Sequence, residues 1–337
     1  MLVAAAGCTS PAPETDPDDA ESVLLEHAAD ADSRCILVMR DGEIVTSTPD
    51  VTEPQRAWSI TKSVASLLVG IAVDDGALAL EDRASDYIPQ WRGTESESVT
   101  VRDLLAMVSG REWTRQLDYR DMALRAKDKT AFALDLGQDS APGTVWVYNN
   151  SAVQTLDAVL EAATGVAVEE FAAARLFDPL GMTSSSIDTD KAGNANLFAG
   201  MLTTCTDLAV LGQAVLRGGA SADGAQVIPP GYLSLALEPS TDLNAAYGLL
   251  WWLNQPGKAV AADVATGGEP TPIVGPLVPE AAANTVWAVG FQQQILAVIP
   301  SMNAVAVRLG GKPPEGSSFD VRSFTSDVLD VLGEQGS

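Results

Sequence analysis

The chain has 337 residues, enough for one large domain or two coupled ones, and its 46% apolar content is that of an ordinary globular protein. Acidic residues outnumber basic ones 45 to 20, for a formal charge of -25. That excess argues against nucleic acid and against a peripheral grip on anionic lipid, since both surfaces would repel it, and it reads as a solvated acidic surface.

The first residues, Met1-Leu-Val-Ala-Ala-Ala-Gly-Cys8, are followed by a stretch rich in Pro, Ser, Thr and Asp from Thr9 to Ala20. The start resembles the end of a bacterial lipoprotein signal, in which the cysteine is acylated after cleavage. The stretch after it cannot build a core and reads as a disordered tether. Residues 1–20 are therefore expected to be a signal remnant and tether. Cys8 is the expected lipid attachment, and the protein is expected to be exported to the outer face of the bacterial cytoplasmic membrane. A cytoplasmic location is the expectation if the start is not a signal. No uninterrupted apolar run reaches the length of a membrane span.

Residues 21–30 read as an acidic amphipathic helix that carries the sole histidine, His27, as a surface residue. Cys35–Met39 and Glu43–Ser47 are short apolar strands around Arg40-Asp41-Gly42, a hairpin signal. A helix then runs from Ser59 to about Asp75, with Gly76 as its C-terminal cap, apolar around most of its circumference and hence buried. Residues 78–82, 87–91 and 99–105 read as loop and short helices, and residues 121–136, 151–176 and 206–217 have helical periodicity. Tyr247–Leu253 reads as a strand. Gln255–Asn284 is a Gly/Pro/Ala-rich stretch too long for an idle loop, and so a candidate lid. Residues 285–289, 294–299 and 304–309 read as three strands, and about residues 320–333 as a final helix. Strands at both ends around a helical middle predict an α+β protein. Its discontinuous sheet domain would comprise residues 21–85 and 245–337, and its helical domain residues 86–244. Cys35 falls in an apolar strand and Cys205 beside a helix start. Buried free thiols are the default for both, with a disulfide open to an exported protein. The cysteine spacing supports no metal site.

With its one histidine on a surface helix, the chain offers no Ser-His-Asp triad and no His-rich metal centre. Lys62 is the only charge in Ser59–Val73. An unpaired buried ammonium is costly, so such a lysine is paired or has its pKa lowered. Ser59 stands three residues earlier on the same helical face, which sets a nucleophile beside its base. Among six lysines, only Lys62 has a serine at that spacing. Tyr148-Asn149-Asn150 follows a turn and precedes a helix expected near Ser151. A phenol relays protons when a cation lowers its pKa, and an asparagine amide can hold both a substrate carbonyl and a lysine. Gly290 ends a strand and lets a substrate approach the sheet edge. The Phe291 N–H then points at a developing oxyanion beside the Ser59 N–H. Trp113, Tyr119, Trp251 and Trp252 read first as packing residues and second as pocket lining.

These motifs in this order resemble the serine β-lactamase-related hydrolases: class C β-lactamases, their esterase cousins and, most closely, the 6-aminohexanoate-oligomer hydrolase branch. The residues that carry the likeness are Trp58–Ser63, Thr100–Gly110, Pro142–Asn150, Leu176–Met182, Thr203–Ala209 and Trp287–Gln294. The resemblance implies a β-lactamase/transpeptidase-like fold: a mainly antiparallel sheet flanked by helices, joined to an all-helical domain, with the site between them. It implies that Ser59 attacks a carbonyl, Lys62 takes its proton and Tyr148 relays it. Asn150 would orient the acyl group, and the N–H groups of Ser59 and Phe291 would form the oxyanion hole. It implies no cofactor. Where β-lactamases carry Lys-Thr-Gly on the last strand, this chain reads Ala288-Val289-Gly290. The expectation is therefore an esterase or amidase for small neutral or cationic acyl substrates, with poor recognition of anionic β-lactams. The alternatives are a D-peptidase or β-lactamase, or an inactive relative that binds a peptide or wall fragment.

Overall fold

The computed structural model describes residues 17–260 and 273–333. Cys8 and the proposed signal lie outside the described residues, as does the tether apart from its last few positions. The helices are α1 (Pro17–Asp30), α2 (Ile60–Asp74), α3 (Ala84–Tyr87), α4 (Val101–Leu105), α5 (Lys129–Asp135), α6 (Asn150–Thr164), α7 (Val168–Ala172), α8 (Asp178–Leu180), α9 (Cys205–Leu216), α10 (Pro230–Ala236) and α11 (Val321–Leu332). Two π-helical segments, Gln116–Arg125 and Ala173–Phe177, interrupt them.

The main sheet has six antiparallel strands, with spatial order β2 (Glu43–Ser47), β1 (Ser33–Arg40), β11 (Ala304–Gly310), β10 (Gln294–Ile299), β9 (Val286–Gly290) and β6 (Trp252–Leu253). Its middle strands are apolar at nearly every position because both faces are covered. On one face Cys35, Leu37, Leu296, Val298, Val305 and Val307 join the core that contains α2 and α9. On the other face Ile36, Val38, Ile295, Ala297, Ala304 and Ala306 pack with residues of α1 and α11. The fit is close: a Cβ on Gly212 of α9 would lie 2.6 Å from a Val305 methyl of β11. A small sheet of β3 (Gln55–Trp58), β5 (Met201–Thr203) and β4 (Ser186–Ile187) ties the segment before α2 to the helical middle. One apolar core runs from the sheet through α2 into α4, α6 and α9. The sheet is thus built from both ends of the sequence, and residues 86–244 supply most of the helices.

Several expectations need correction. Only Trp252–Leu253 of the segment Tyr247–Leu253 is strand. The residues before it form a tight turn with Leu250 at φ +63°, held by N–H bonds from Leu249 to the Ala236 carbonyl and from Leu250 to the Leu105 carbonyl. A Cβ on Gly248 would fall 2.1 Å from the Ala236 oxygen, so an extended strand with side chains does not fit there. The helix expected over 121–136 is a π-helix ending at Arg125, then α5. The helix expected over 151–176 stops at Gly165, which caps α6 at φ +70°. Within the lid candidate, β7 (Lys258–Ala259) pairs with β8 (Ile273–Val274), and the Asn254 amide bonds the carbonyls of Val278 and Ala281. Its central residues 261–272 lie outside the described residues. Finally, Cys35 and Cys205 form a disulfide, not two thiols. Packing α9 on the sheet brings its first residue over β1, with the Cα atoms 6.4 Å apart.

Candidate active site

The site forms where the short strand β3 turns into α2. The β3–β5 register slips between Arg56 and Trp58, and Trp58 takes φ +51°, a left-handed conformation that is costly for a large side chain. The Thr61 hydroxyl holds this turn, donating to the Trp58 carbonyl at 2.5 Å and accepting the Met201 N–H at 2.9 Å. Ser59 follows as the N-cap of α2. Its side chain makes no capping bond, so the hydroxyl is left for other partners.

Lys62 lies one helical turn on, with 1% of its surface exposed. Its Nζ is 2.8 Å from Ser59 Oγ and donates to the Phe198 carbonyl at 2.7 Å. Burial lowers the lysine pKa to about 7, against a smaller opposing pull from Asp118. Near neutral pH a large share of the amine is therefore uncharged and able to accept the Ser59 proton. The amine also lies 4.9 Å from the centroid of the Tyr148 ring.

Tyr148 is buried, with its phenol near the Ser59 side chain. Burial pushes the phenol pKa well up, with the nearby Ser59 hydroxyl opposing and the negative charge of Asp118 adding to the rise. This corrects the expectation that a nearby cation lowers it: the burial of the phenol outweighs any pull from Lys62, which near neutral pH is charged only part of the time. The phenol can donate and pass on a proton, but it is not a standing phenolate. Trp252 stacks on Tyr148 at 6.2 Å between ring centroids, and Tyr247 and Trp146 meet that pair edge-on or tilted. Trp252 is thus a support for the phenol, whereas Trp251 is fully buried in the core.

Asn149, rather than Asn150, caps α6, accepting the Ala152 N–H at 2.8 Å. Asn150 is the first helical residue and is 3% exposed. Its Nδ2 donates to Asp118 Oδ2 at 2.7 Å, which turns the amide oxygen away from that carboxylate. The expected hold of Asn150 on the lysine is replaced by the Phe198 carbonyl. Asp118 also accepts from Ser151, from N–H at 2.7 Å and from Oγ at 2.8 Å. A buried carboxylate thus sits at the N-terminus of α6, where free N–H groups and the helix dipole favour it.

Gly290 ends β9 against the Ser59 turn. A Cβ there would lie 2.2 Å from the Ala57 carbonyl oxygen, so only glycine lets the sheet edge approach. Phe291 follows, 63% exposed, its ring edge-on to Trp58 at 5.8 Å. Gln292 and Gln293 both have positive φ and close the hairpin to β10. The turn is fastened from beneath by the buried Arg308, whose Nη1 donates to the carbonyls of Gln292 and Gln293, and by the Gln294 amide, which donates to the Phe291 carbonyl. Ala288 shares the face of β9 that Gly290 presents and is fully buried. Alanine stands at the position where the resemblance puts lysine.

The structure thus gathers Ser59, Lys62, Tyr148 and, through Asp118, Asn150. It sets Gly290 and Phe291 on the strand edge beside them. Sequence reasoning missed Phe198 and Asp118. Phe198 acts through its main chain and left no signal. Asp118 is an acid among polar residues, and only the π-helix turns it inward.

A serine hydroxyl 2.8 Å from a desolvated amine, with a buried phenol ring beside that amine, marks the candidate site. The chain belongs to the Beta-lactamase family, whose model matches residues 25–324. It is similar to Penicillin-binding protein 4 of Amycolatopsis lactamdurans, 32% identical over 136 residues, which is 39% of this chain and 35% of that one. It is also similar to the 6-aminohexanoate-dimer hydrolase of Paenarthrobacter ureafaciens, 24% identical over 270 residues, covering 69% of this chain and 66% of the relative. The matches therefore span from about a third to just under two thirds of these relatives. Among solved structures, one from Bacteroides dorei superposes with a TM-score of 0.76 at 19% identity, covering 95% of this chain and 99% of the other. A class C β-lactamase mutant superposes at 0.68 and 20% identity, covering 95% and 97%. At these identities the superpositions establish the β-lactamase/transpeptidase-like fold.

Proposed function

We propose that the chain is a serine hydrolase that cleaves a small ester or amide through an acyl-enzyme on Ser59. The observation that carries this reading is the buried Lys62 amine, 2.8 Å from the Ser59 hydroxyl and with its pKa lowered to about 7 by burial. Ser59 Oγ attacks the substrate carbonyl carbon while its proton passes to Lys62 Nζ. The carbonyl oxygen becomes an oxyanion, received by the N–H groups of Ser59 and Phe291. Tyr148 gives its proton to the departing alcohol or amine and regains one from Lys62, and the carbon–leaving-group bond breaks. Water then attacks the acyl-enzyme along the same proton path in reverse, and Ser59 recovers its proton. Asn150 orients the acyl group, its amide fixed by Asp118.

Ala288 in place of the strand lysine favours an esterase or amidase over a β-lactamase or D-peptidase, because a carboxylate next to the scissile bond finds no cation on β9. The name of the Paenarthrobacter relative, a 6-aminohexanoate-dimer hydrolase, points the same way, toward a small amide. A panel of p-nitrophenyl esters, short linear amides and nitrocefin, run on the protein and on Ser59→Ala, tests this. The expected pattern is ester or amide turnover that needs Ser59, with little nitrocefin cleavage. Rapid nitrocefin turnover with no ester or amide cleavage would reverse the ranking.

The protein is also proposed to be exported and anchored through a lipid on Cys8. The Cys35–Cys205 disulfide supports an oxidising compartment. Membrane fractionation with mass spectrometry of the N-terminal peptide tests it; a soluble cytosolic protein with unmodified Cys8 would refute it.

A further inference from the structure

Lys62 is held from a side that Ser59 and Tyr148 do not supply. Its Nζ donates to the Phe198 carbonyl at 2.7 Å, and Phe198 belongs to the irregular chain between β4 and β5. A main-chain acceptor in such a segment is only as well placed as the bonds that hold its neighbours. Two sets of bonds hold them. After Phe198, the Met201 N–H donates to the Thr61 hydroxyl of α2 at 2.9 Å. Before it, the fully buried Gln154 of α6 grips the chain twice. Its Oε1 accepts the Leu197 N–H at 3.1 Å, and its Nε2 donates to the Ala195 carbonyl at 2.8 Å. Nε2 also donates to Thr130 Oγ1 of α5 at 2.8 Å. Thr130 in turn donates to Asp157 Oδ2 at 2.7 Å, and Asp157 Oδ1 accepts the Ala195 N–H at 3.1 Å. Oε1 and both hydrogens of Nε2 on Gln154 are thus engaged in fixing the residues just before Phe198.

A neutral amine has two N–H bonds and one lone pair. A carbonyl can only accept, so the Phe198 oxygen takes an N–H and limits rotation about the Cε–Nζ bond of Lys62. The lone pair is left to face the Ser59 hydroxyl, 2.8 Å away. Once the Ser59 proton has moved, the same carbonyl stabilises the new ammonium through a charge-assisted bond. The other groups around the amine are the rings of Tyr148 and Phe198, with centroids 4.9 and 5.9 Å away, and the charge of Asp118.

We propose that Gln154 is a positioning residue for the reaction: through Leu197 it fixes the Phe198 carbonyl, and that carbonyl aims the Lys62 amine at Ser59. The proposal rests on the reading of Lys62 as the base and extends the machinery to α6 beyond Asn150. Thr130 and Asp157 complete the clamp by holding Gln154 and Ala195.

The test compares the wild type with Gln154→Met, which keeps the length of the side chain and removes its hydrogen bonds, once denaturation has shown that the variant folds. Turnover of a neutral ester is read at about pH 9, because burial pushes the Asp157 carboxyl up to about 7 and it too titrates below that range. There kcat is expected to fall about tenfold with KM within about twofold, as for a bond that counts in the transition state. In parallel, NMR of protein labelled with carbon-13 lysine, in which Lys62 is one of six lysines, follows the titration of the amine itself. Losing an acceptor that favours the ammonium should lower its pKa by about half a unit or more. A merely structural defect scales kcat and leaves that titration in place. Thr130→Val removes the hydroxyl shared by Gln154 and Asp157 and is expected to give smaller changes of the same sign; it decides the matter if Gln154→Met does not fold. Wild-type kcat, or a lower kcat with the Lys62 titration unmoved or moved up, overturns the proposal while Ser59-dependent turnover stands. If the wild type shows no Ser59-dependent turnover, the hydrolase reading fails, and the NMR titration alone decides whether Gln154 sets the lysine.

Discussion

The Lys62 amine stands 2.8 Å from the Ser59 hydroxyl, inside a helix whose other buried side chains carry no charge. The same burial that holds the pair together sets the protonation state of the base. A fully solvated lysine would be protonated at neutral pH and useless for the task. Here desolvation brings its pKa to about 7.

The first prediction is a pH profile. Lys62 must be neutral to take the Ser59 proton, so kcat/KM should fall as pH drops through about 7, where the amine gains a proton. Above that range activity should hold, because the Tyr148 pKa is pushed up by burial and the phenol keeps its proton. Stopped-flow or steady-state rates between pH 5 and 10 on a neutral ester check this. An acid limb lying near pH 4, typical of a carboxylate base, would contradict it.

Tyr148→Phe removes one oxygen and keeps the stack on Trp252. The expected result is a kcat lower by about 10²–10⁴ with the fold unchanged, as for loss of a general acid. Rates together with near-UV circular dichroism separate this from a packing defect. A Phe variant with wild-type rates would remove the phenol from the mechanism.

Gly290→Ala places a Cβ 2.2 Å from the Ala57 oxygen, so β9 must withdraw from the Ser59 turn. Stability is expected to fall by about 1–3 kcal/mol and kcat/KM by about a hundredfold, since the Phe291 N–H moves with the strand. Chemical denaturation and ester kinetics measure the two effects. An alanine variant with full activity would show that the close approach is not needed.

The Cys35–Cys205 bond joins residues 170 apart in sequence, and closing so long a loop restricts the unfolded chain strongly. The double variant Cys35→Ser/Cys205→Ser is expected to lose about 2–4 kcal/mol of stability while keeping its activity at 25 °C. Thermal unfolding with and without dithiothreitol reads this directly. Equal midpoints under both conditions would contradict it.

Much of this arrangement is written in the sequence where burial and residue type coincide. Lys62 is legible because one charge in an otherwise apolar helix has few structural excuses. The outer strands of the chain are legible because their apolar runs are short and bounded by turns, as at Arg40-Asp41-Gly42. The Tyr247–Leu253 segment was misread because its apolar residues are buried by a turn wedged against α10, and periodicity cannot tell that from a strand. Asp118 and the Phe198 carbonyl were invisible for another reason. One depends on a π-helix that shifts which residues face inward, the other on a main-chain atom that any residue would supply. The disulfide depends on α9 crossing β1, a long-range contact that local sequence does not contain.

The most direct measurement is labelling by a fluorophosphonate, with the modified peptide mapped by mass spectrometry. The account predicts a single stoichiometric adduct on Ser59, absent in Ser59→Ala and greatly slowed in Lys62→Met or at pH well below 7. An unlabelled protein, or an adduct on any other residue, would contradict it.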